Sequence, residues 1–273
     1  VIKSFDQLVC LSGLPRTGSS LLSALLSQNP AIHAEGNSTL CQIMWDTQNS
    51  CRDASKEAIA ANNRFYCVHD IVSQLPHSYY KRNEKQERIV VDKCRTWTLK
   101  ANMQMVDEFI GKDTKVVVLV RPVVEIVKSF VKLYKENGIY TEQLERDLFN
   151  PGSDPLTRPL AGVYAAQQDT SGRFLFVSYR DLVEDTAQTL KGIYDFCGWD
   201  RFIHNTNNIK QKYTENDDIY GLKGMHSVRK KVGYRKNHTQ LMDETVQKCM
   251  ELDKALNLID TTVNTEANYG ILN

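Results

Sequence analysis

Between Leu8 and Gln28 an apolar run gives way to Gly13-Leu14-Pro15-Arg16-Thr17-Gly18-Ser19-Ser20, and then to Leu21, Leu22, Leu25 and Leu26 at helical spacing. The order is strand, glycine loop, helix. Such a loop points successive backbone N–H groups at the positive end of a helix. Arg16, Thr17, Gly18, Ser19 and Ser20 can therefore hold phosphate or sulfate oxygens without a metal. The spacing approaches the nucleoside-triphosphate loop G-x-x-x-x-G-K-[ST], but Ser19 stands at the lysine position and the loop's cation is Arg16. The motif by itself suits a phosphorylated nucleotide. It leaves open a P-loop kinase, a nucleotide-binding protein without catalysis and an ordinary strand-to-helix turn.

Other residues able to do chemistry fall at the ends of apolar runs. Arg88-Ile89-Val90-Val91-Asp92 delivers Lys93, Cys94 and Arg95, and the carboxyl ends of strands are where open α/β sheets gather ligands. Lys115-Val116-Val117-Val118-Leu119-Val120 ends at Arg121-Pro122, and the helical pattern that follows carries Ser129. Arg173 to Ser178 reads as another buried strand and ends at Tyr179. The short extended piece Asn29 to Asn37 offers His33 and Glu35 as candidate proton acceptors beside the glycine loop. Farther on, Gly221 and Gly224 precede Arg229, Lys231, Arg235 and Lys236, a pattern expected of a mobile phosphate-binding loop.

Pro15-Arg16-Thr17-Gly18-Ser19-Ser20 after a strand resembles the 5′-phosphosulfate loop of sulfotransferases that use 3′-phosphoadenosine 5′-phosphosulfate (PAPS). The 3′-phosphate site of that family is a strand-end arginine followed eight positions later by a serine, and Arg121 with Ser129 has that spacing. Eight residues are slightly over two helical turns, so the serine returns to the arginine's side. The segment Tyr179-Arg180-Asp181-Leu182-Val183 resembles the family's Y-E-D-L-V, whose tyrosine meets the adenine end of the nucleotide. The tyrosylprotein and bacterial branch is the more similar one.

The resemblance implies a P-loop NTPase-like central parallel sheet flanked by helices, and metal-independent, in-line transfer of a sulfuryl group from PAPS to an acceptor hydroxyl or amine, with 3′-phosphoadenosine 5′-phosphate (PAP) as product. It assigns the 5′-phosphosulfate to Arg16, Thr17, Gly18, Ser19 and Ser20, the 3′-phosphate to Arg121 and Ser129, and the nucleotide's outer face to Tyr179, Arg229, Lys231 and Lys236. Lys93, with Arg16, neutralises charge developing in the transition state. Glu35 takes the proton, with His33 as the rival. The class of acceptor stays open.

The elements that must position these groups are ordinary in composition. The chain has 273 residues, with 34 Lys and Arg against 33 Asp and Glu. This fits one α/β domain over 1–273 with a sizeable core. The near-zero net charge disfavours nucleic acid as a partner, so any anion site has to be locally basic. Seven scattered cysteines without a C-x-x-C pair read as reduced thiols. Cys67 and His69 lack partners at zinc-ligand spacing. No apolar run reaches membrane-spanning length and no signal peptide is evident, which points to a cytoplasmic protein. Residues 38–80 read as a helical cap, 135–159 as an irregular lid, and Thr98 as the cap of a helix ending at Gly111.

Overall fold

The structure, a computed structural model, describes residues 3–81, 87–153 and 155–257, so the expected domain of 1–273 runs past what is described. Five strands, β1 (Gln7–Gly13), β2 (Ile32–Ala34), β3 (Ile89–Lys93), β4 (Val116–Val120) and β5 (Phe174–Ser178), form one parallel sheet in the order β2-β3-β1-β4-β5. Leu11 lies opposite Lys93 on one side and Val117 on the other, and Gly13 lies opposite Leu119. β1 is thus the strand at which the order reverses. Its carboxyl end, with those of β3 and β4 beside it, opens the crevice that such a reversal creates.

Strands β1, β3 and β4 are apolar because helices cover both faces of the sheet. One face packs on Met44, Trp97, Val127 and Phe130, the other on Leu22, Leu25, Ile193 and Trp199. The first layer contains α2 (Leu40–Arg52), α3 (Lys56–Ala61), α4 (Phe65–Tyr79), α5 (Lys100–Phe109), α6 (Val123–Glu136), α7 (Glu142–Asp147), α8 (Thr157–Gln167) and α11 (Asp243–Ala255). The second contains α1 (Ser19–Leu26), α9 (Tyr179–Glu184) and α10 (Thr186–Cys197). α10 follows the sequence pattern closely: Asp185 accepts from the Gln188 amide, and Gly198 ends the helix at φ 72°.

Three local expectations are corrected. Thr98 does not cap α5: Leu99 takes the N-cap position, and the Thr98 hydroxyl lies 3.3 Å from that of Ser12 on the central strand β1. The stretch read as irregular contains α7, capped by Thr141, because the buried Glu145 takes the Tyr140 hydroxyl at 2.8 Å and the Met242 amide at 2.9 Å. α8 starts at Thr157, inside the stretch read as irregular, with Pro159 in its first turn, where a missing N–H costs nothing. All seven cysteines are free thiols. Among the described residues no helix is long and apolar enough to cross a membrane.

Candidate active site

The glycine loop starts in so tight a turn that no side chain fits at Gly13. Gly13 has φ 118°, and a Cβ there would lie 2.1 Å from the Leu119 carbonyl oxygen. Arg16 and Gly18 also have positive φ, 57° and 84°. These twists bring the loop over the start of α1, which no side chain caps, so its first amides are available to an anion. Arg16, Gly18, Ser19 and Ser20 line a cavity of about 470 Å³. The Thr17 side chain turns away from it, fully buried, and donates to the Leu14 carbonyl at 2.7 Å. Thr17 therefore braces the loop through its hydroxyl and can meet a ligand only through its backbone.

Arg121 and Ser129 open into the same cavity. Arg121 leaves the end of β4, donates from Nε to Glu125 Oε2 at 2.8 Å and from Nη1 to the Arg16 carbonyl at 2.8 Å, and lies over the Tyr179 ring, 4.0 Å from its centroid. Arg16 donates from Nε to Ser129 Oγ at 3.0 Å and from Nη1 to the Met225 carbonyl. Burial lowers the Arg16 pKa, and the adjacent Arg121 lowers it further. Two guanidinium groups are therefore held together in a partly desolvated hollow, where an anion relieves their repulsion.

Lys93, at the carboxyl end of β3, is buried and donates from Nζ to Asn37 Oδ1 at 3.3 Å. Burial, with Arg95 adding repulsion, lowers its pKa to about 8. Next to it in sequence, the fully buried Asp92 collects Ser38 Oγ at 2.6 Å, the Tyr80 hydroxyl at 2.6 Å and Trp97 Nε1 at 2.7 Å. This network fixes the strand end from which Lys93 projects.

The two candidate bases are not brought to the cavity. Glu35 Oε1 is 2.8 Å from His33 Nε2, while His33 Nδ1 is 2.8 Å from Glu87 Oε2. Glu87 in turn accepts from Lys212 at 2.7 Å and Tyr213 at 2.5 Å. Burial disfavours a charged His33, but the hydrogen bonds to Glu35 and Glu87 outweigh it and raise its pKa. Both ring nitrogens thus face carboxylates, and neither His33 nor Glu35 lines the cavity.

The basic C-terminal segment does line it, through Arg229, Lys231, Arg235 and Lys236. This segment is tied down rather than loose: Ile209 N donates to Lys230 O at 2.7 Å, Val232 N to Thr206 O at 3.0 Å, and Val228 N to Gln211 Oε1 at 3.1 Å. Asn37, Arg95, Tyr220 and His226 are also part of the wall. Sequence reasoning gave none of the four a role of its own, since none lies in a periodic segment. Behind them lies Glu215, whose two carboxylate oxygens are buried without a hydrogen bond. Among the described residues no group of three His, Cys, Asp or Glu side chains is placed to hold a metal ion.

Comparison with known proteins bears on the family and the fold. The model of the sulfotransferase family matches residues 9–203. No curated protein matches the chain. Among solved structures, the sulfotransferase domain of the Synechococcus PCC 7002 olefin synthase shares 20% identity with a TM-score of 0.51, over 92% of this chain and 95% of that one. A sulfotransferase from Alicyclobacillus acidocaldarius shares 13% identity with a TM-score of 0.55, over 97% and 99%. The mouse sulfotransferase SULT7A1, crystallised with PAP, shares 14% identity with a TM-score of 0.52, over 96% and 87%. At these identities the structural likeness speaks for the fold. With the family model covering 195 of 273 residues, counted from 9 to 203, the chain belongs to the sulfotransferase family and is a sulfuryl-transferring enzyme.

Proposed function

We propose that the protein moves the sulfuryl group of PAPS to an acceptor hydroxyl or amine, in line and without a metal. The observation that carries this reading is the contact between the two anion cradles: Arg121 Nη1 donates to the carbonyl of Arg16 in the glycine loop, and Arg16 itself reaches Ser129. One nucleotide with a phosphate at each end of its ribose would engage both. The amides of Ser19 and Ser20 with Arg16 would hold the 5′-phosphosulfate, Arg121 and Ser129 the 3′-phosphate, and Tyr179 the adenine side. Arg229, Lys231 and Lys236 add positive charge over the nucleotide. PAPS brings an activated sulfuryl group to the site. The chain's own part is to orient it and to stabilise charge on the sulfate and bridging oxygens, a role the Lys93 ammonium and Arg16 would fill.

A thermal-shift comparison of PAP and ATP, each with and without Mg²⁺, tests the reading against a P-loop kinase. Stabilisation by PAP that exceeds that by ATP and is indifferent to Mg²⁺ is the expected result. Mg²⁺-dependent stabilisation by ATP alone would overturn it.

A further inference from the structure

We infer that His226, oriented by Asp217, is the group that takes the proton of the attacking acceptor, in the place first expected for Glu35. This rests on the sulfuryl-transfer reading above. Glu35 is engaged with His33 and Glu215 is sealed behind the wall, so neither carboxylate touches the cavity. His226 does line it. Its Nδ1 is 2.7 Å from Asp217 Oδ1, and its backbone N–H donates to Asp217 Oδ2 at 3.0 Å. Among the described residues Nε2 makes no hydrogen bond. A carboxylate on Nδ1 fixes the tautomer with its proton there and leaves the Nε2 lone pair free to accept, which is how a paired histidine serves as a general base.

The surroundings set both its location and its charge. His226 follows Met225, whose carbonyl accepts from Arg16, and the Tyr220 ring stands 5.8 Å from the imidazole. Tyr220 receives Asn37, and Asn37 receives Lys93. The imidazole is thereby placed among the two cations assigned to the migrating group. The titratable groups facing it are Asp217, Glu215 at 3.3 Å, Lys93 and Arg16. Burial lowers the His226 pKa and Lys93 and Arg16 add to that, while Asp217 opposes it. The net direction keeps the ring neutral, and so able to accept a proton, at pH 7.

In the transfer step the acceptor oxygen forms its bond to sulfur while the bond from sulfur to the bridging phosphate oxygen breaks. The electron pair of that bond leaves with the phosphate, and the acceptor's proton goes to His226 Nε2. The products are the sulfate ester, PAP and an imidazolium that Asp217 stabilises. Asp217 is a positioning residue in this scheme, because it acts only through His226.

The test uses the whole protein, with PAP for affinity by calorimetry and with the slow release of inorganic sulfate from PAPS, water serving as acceptor, for turnover. His226→Gln is expected to keep PAP affinity within about threefold, to lower sulfate release by about 10²-fold or more and to lose the acidic limb of the pH profile. Asp217→Asn is expected to keep that limb but move it to lower pH, since the imidazolium loses its carboxylate. In nitrogen NMR spectra of the resting protein the ring is expected as the Nδ1–H tautomer, with Nε2 shifting when PAP binds. Unchanged turnover and an unchanged acidic limb in His226→Gln would overturn the inference while leaving the nucleotide reading intact. Absence of PAP binding in the unmodified protein would instead overturn the nucleotide reading.

Discussion

Arg121 at the end of β4 donates from Nη1 to the main-chain carbonyl of Arg16 in the glycine loop, 2.8 Å away. Through this bond the ends of two neighbouring strands form one surface. Sheet register already brings the strands together, since Gly13 lies opposite Leu119. The side-chain contact adds orientation, and the Tyr179 ring and Glu125 hold the guanidinium from its other sides. The two strand ends therefore present their arginines to one cavity.

The glycine loop is expected to tolerate change unequally. A Cβ at Gly13 would meet the Leu119 backbone at 2.1 Å, at φ 118°. Backbone cannot yield as a side chain can, and strain of this kind costs about 1–3 kcal/mol before the clash is counted. Gly13→Ala should lower the melting temperature by about 10 °C or more, followed by circular dichroism. At Gly18 the added methyl meets only side chains, the Tyr179 ring at 3.1 Å and Leu182 Cδ2 at 3.3 Å. Gly18→Ala should cost about 1–2 kcal/mol from its φ of 84° and loosen PAP binding. A Gly13→Ala protein as stable as the parent would contradict this geometry.

The Lys93 pKa of about 8 predicts an alkaline limit to activity. In the proposed transfer the charged form is the useful one, and it is lost as pH rises through that value, so kcat/KM should fall above pH 8, where the free enzyme titrates. Lys93→Met should lower turnover by about 10²-fold and lose this limb. Keeping a protonated amine where its pKa has dropped from 10.5 to about 8 costs about 3 kcal/mol below pH 8. The Met variant is accordingly expected to melt no lower than the parent at pH 7. A profile flat to pH 10 would show that the ammonium is not required.

Asp92 should prove a stability residue beside a catalytic one. Its carboxylate accepts from Ser38, Tyr80 and Trp97 inside the core. Asp92→Ala strands those donors at about 1–3 kcal/mol each. The melting temperature should fall by about 10 °C, and activity should fall further because Lys93 loses its fixed strand end. Ser38→Ala removes a single donor and should cost only about 1 kcal/mol.

Much of this site was legible in the sequence because its parts sit where strands stop. Gly13, Lys93, Arg121 and Tyr179 each follow an apolar run, and a parallel sheet brings such ends to one edge. What stayed hidden depends on contacts between residues distant in sequence. Glu35 was expected as the base from the resemblance, and its pairing with His33, which Glu87, 52 positions after Glu35, holds by the other ring nitrogen, could not be read from the sequence. His226 and Asp217 lie in a segment with almost no regular structure, where no period marks a direction. Only the folded loop shows that one orients the other.

A comparison of PAP with adenosine 5′-phosphate, titrated by calorimetry into the parent and into Arg121→Ala, tests most directly whether one nucleotide spans both strand ends. The parent should bind PAP at least about 100-fold more tightly, as expected for a charge-assisted bidentate contact to the 3′-phosphate. In Arg121→Ala that preference should shrink to a few-fold, with adenosine 5′-phosphate held nearly as before. An equal preference for PAP in both proteins would place the 3′-phosphate away from Arg121 and contradict the account.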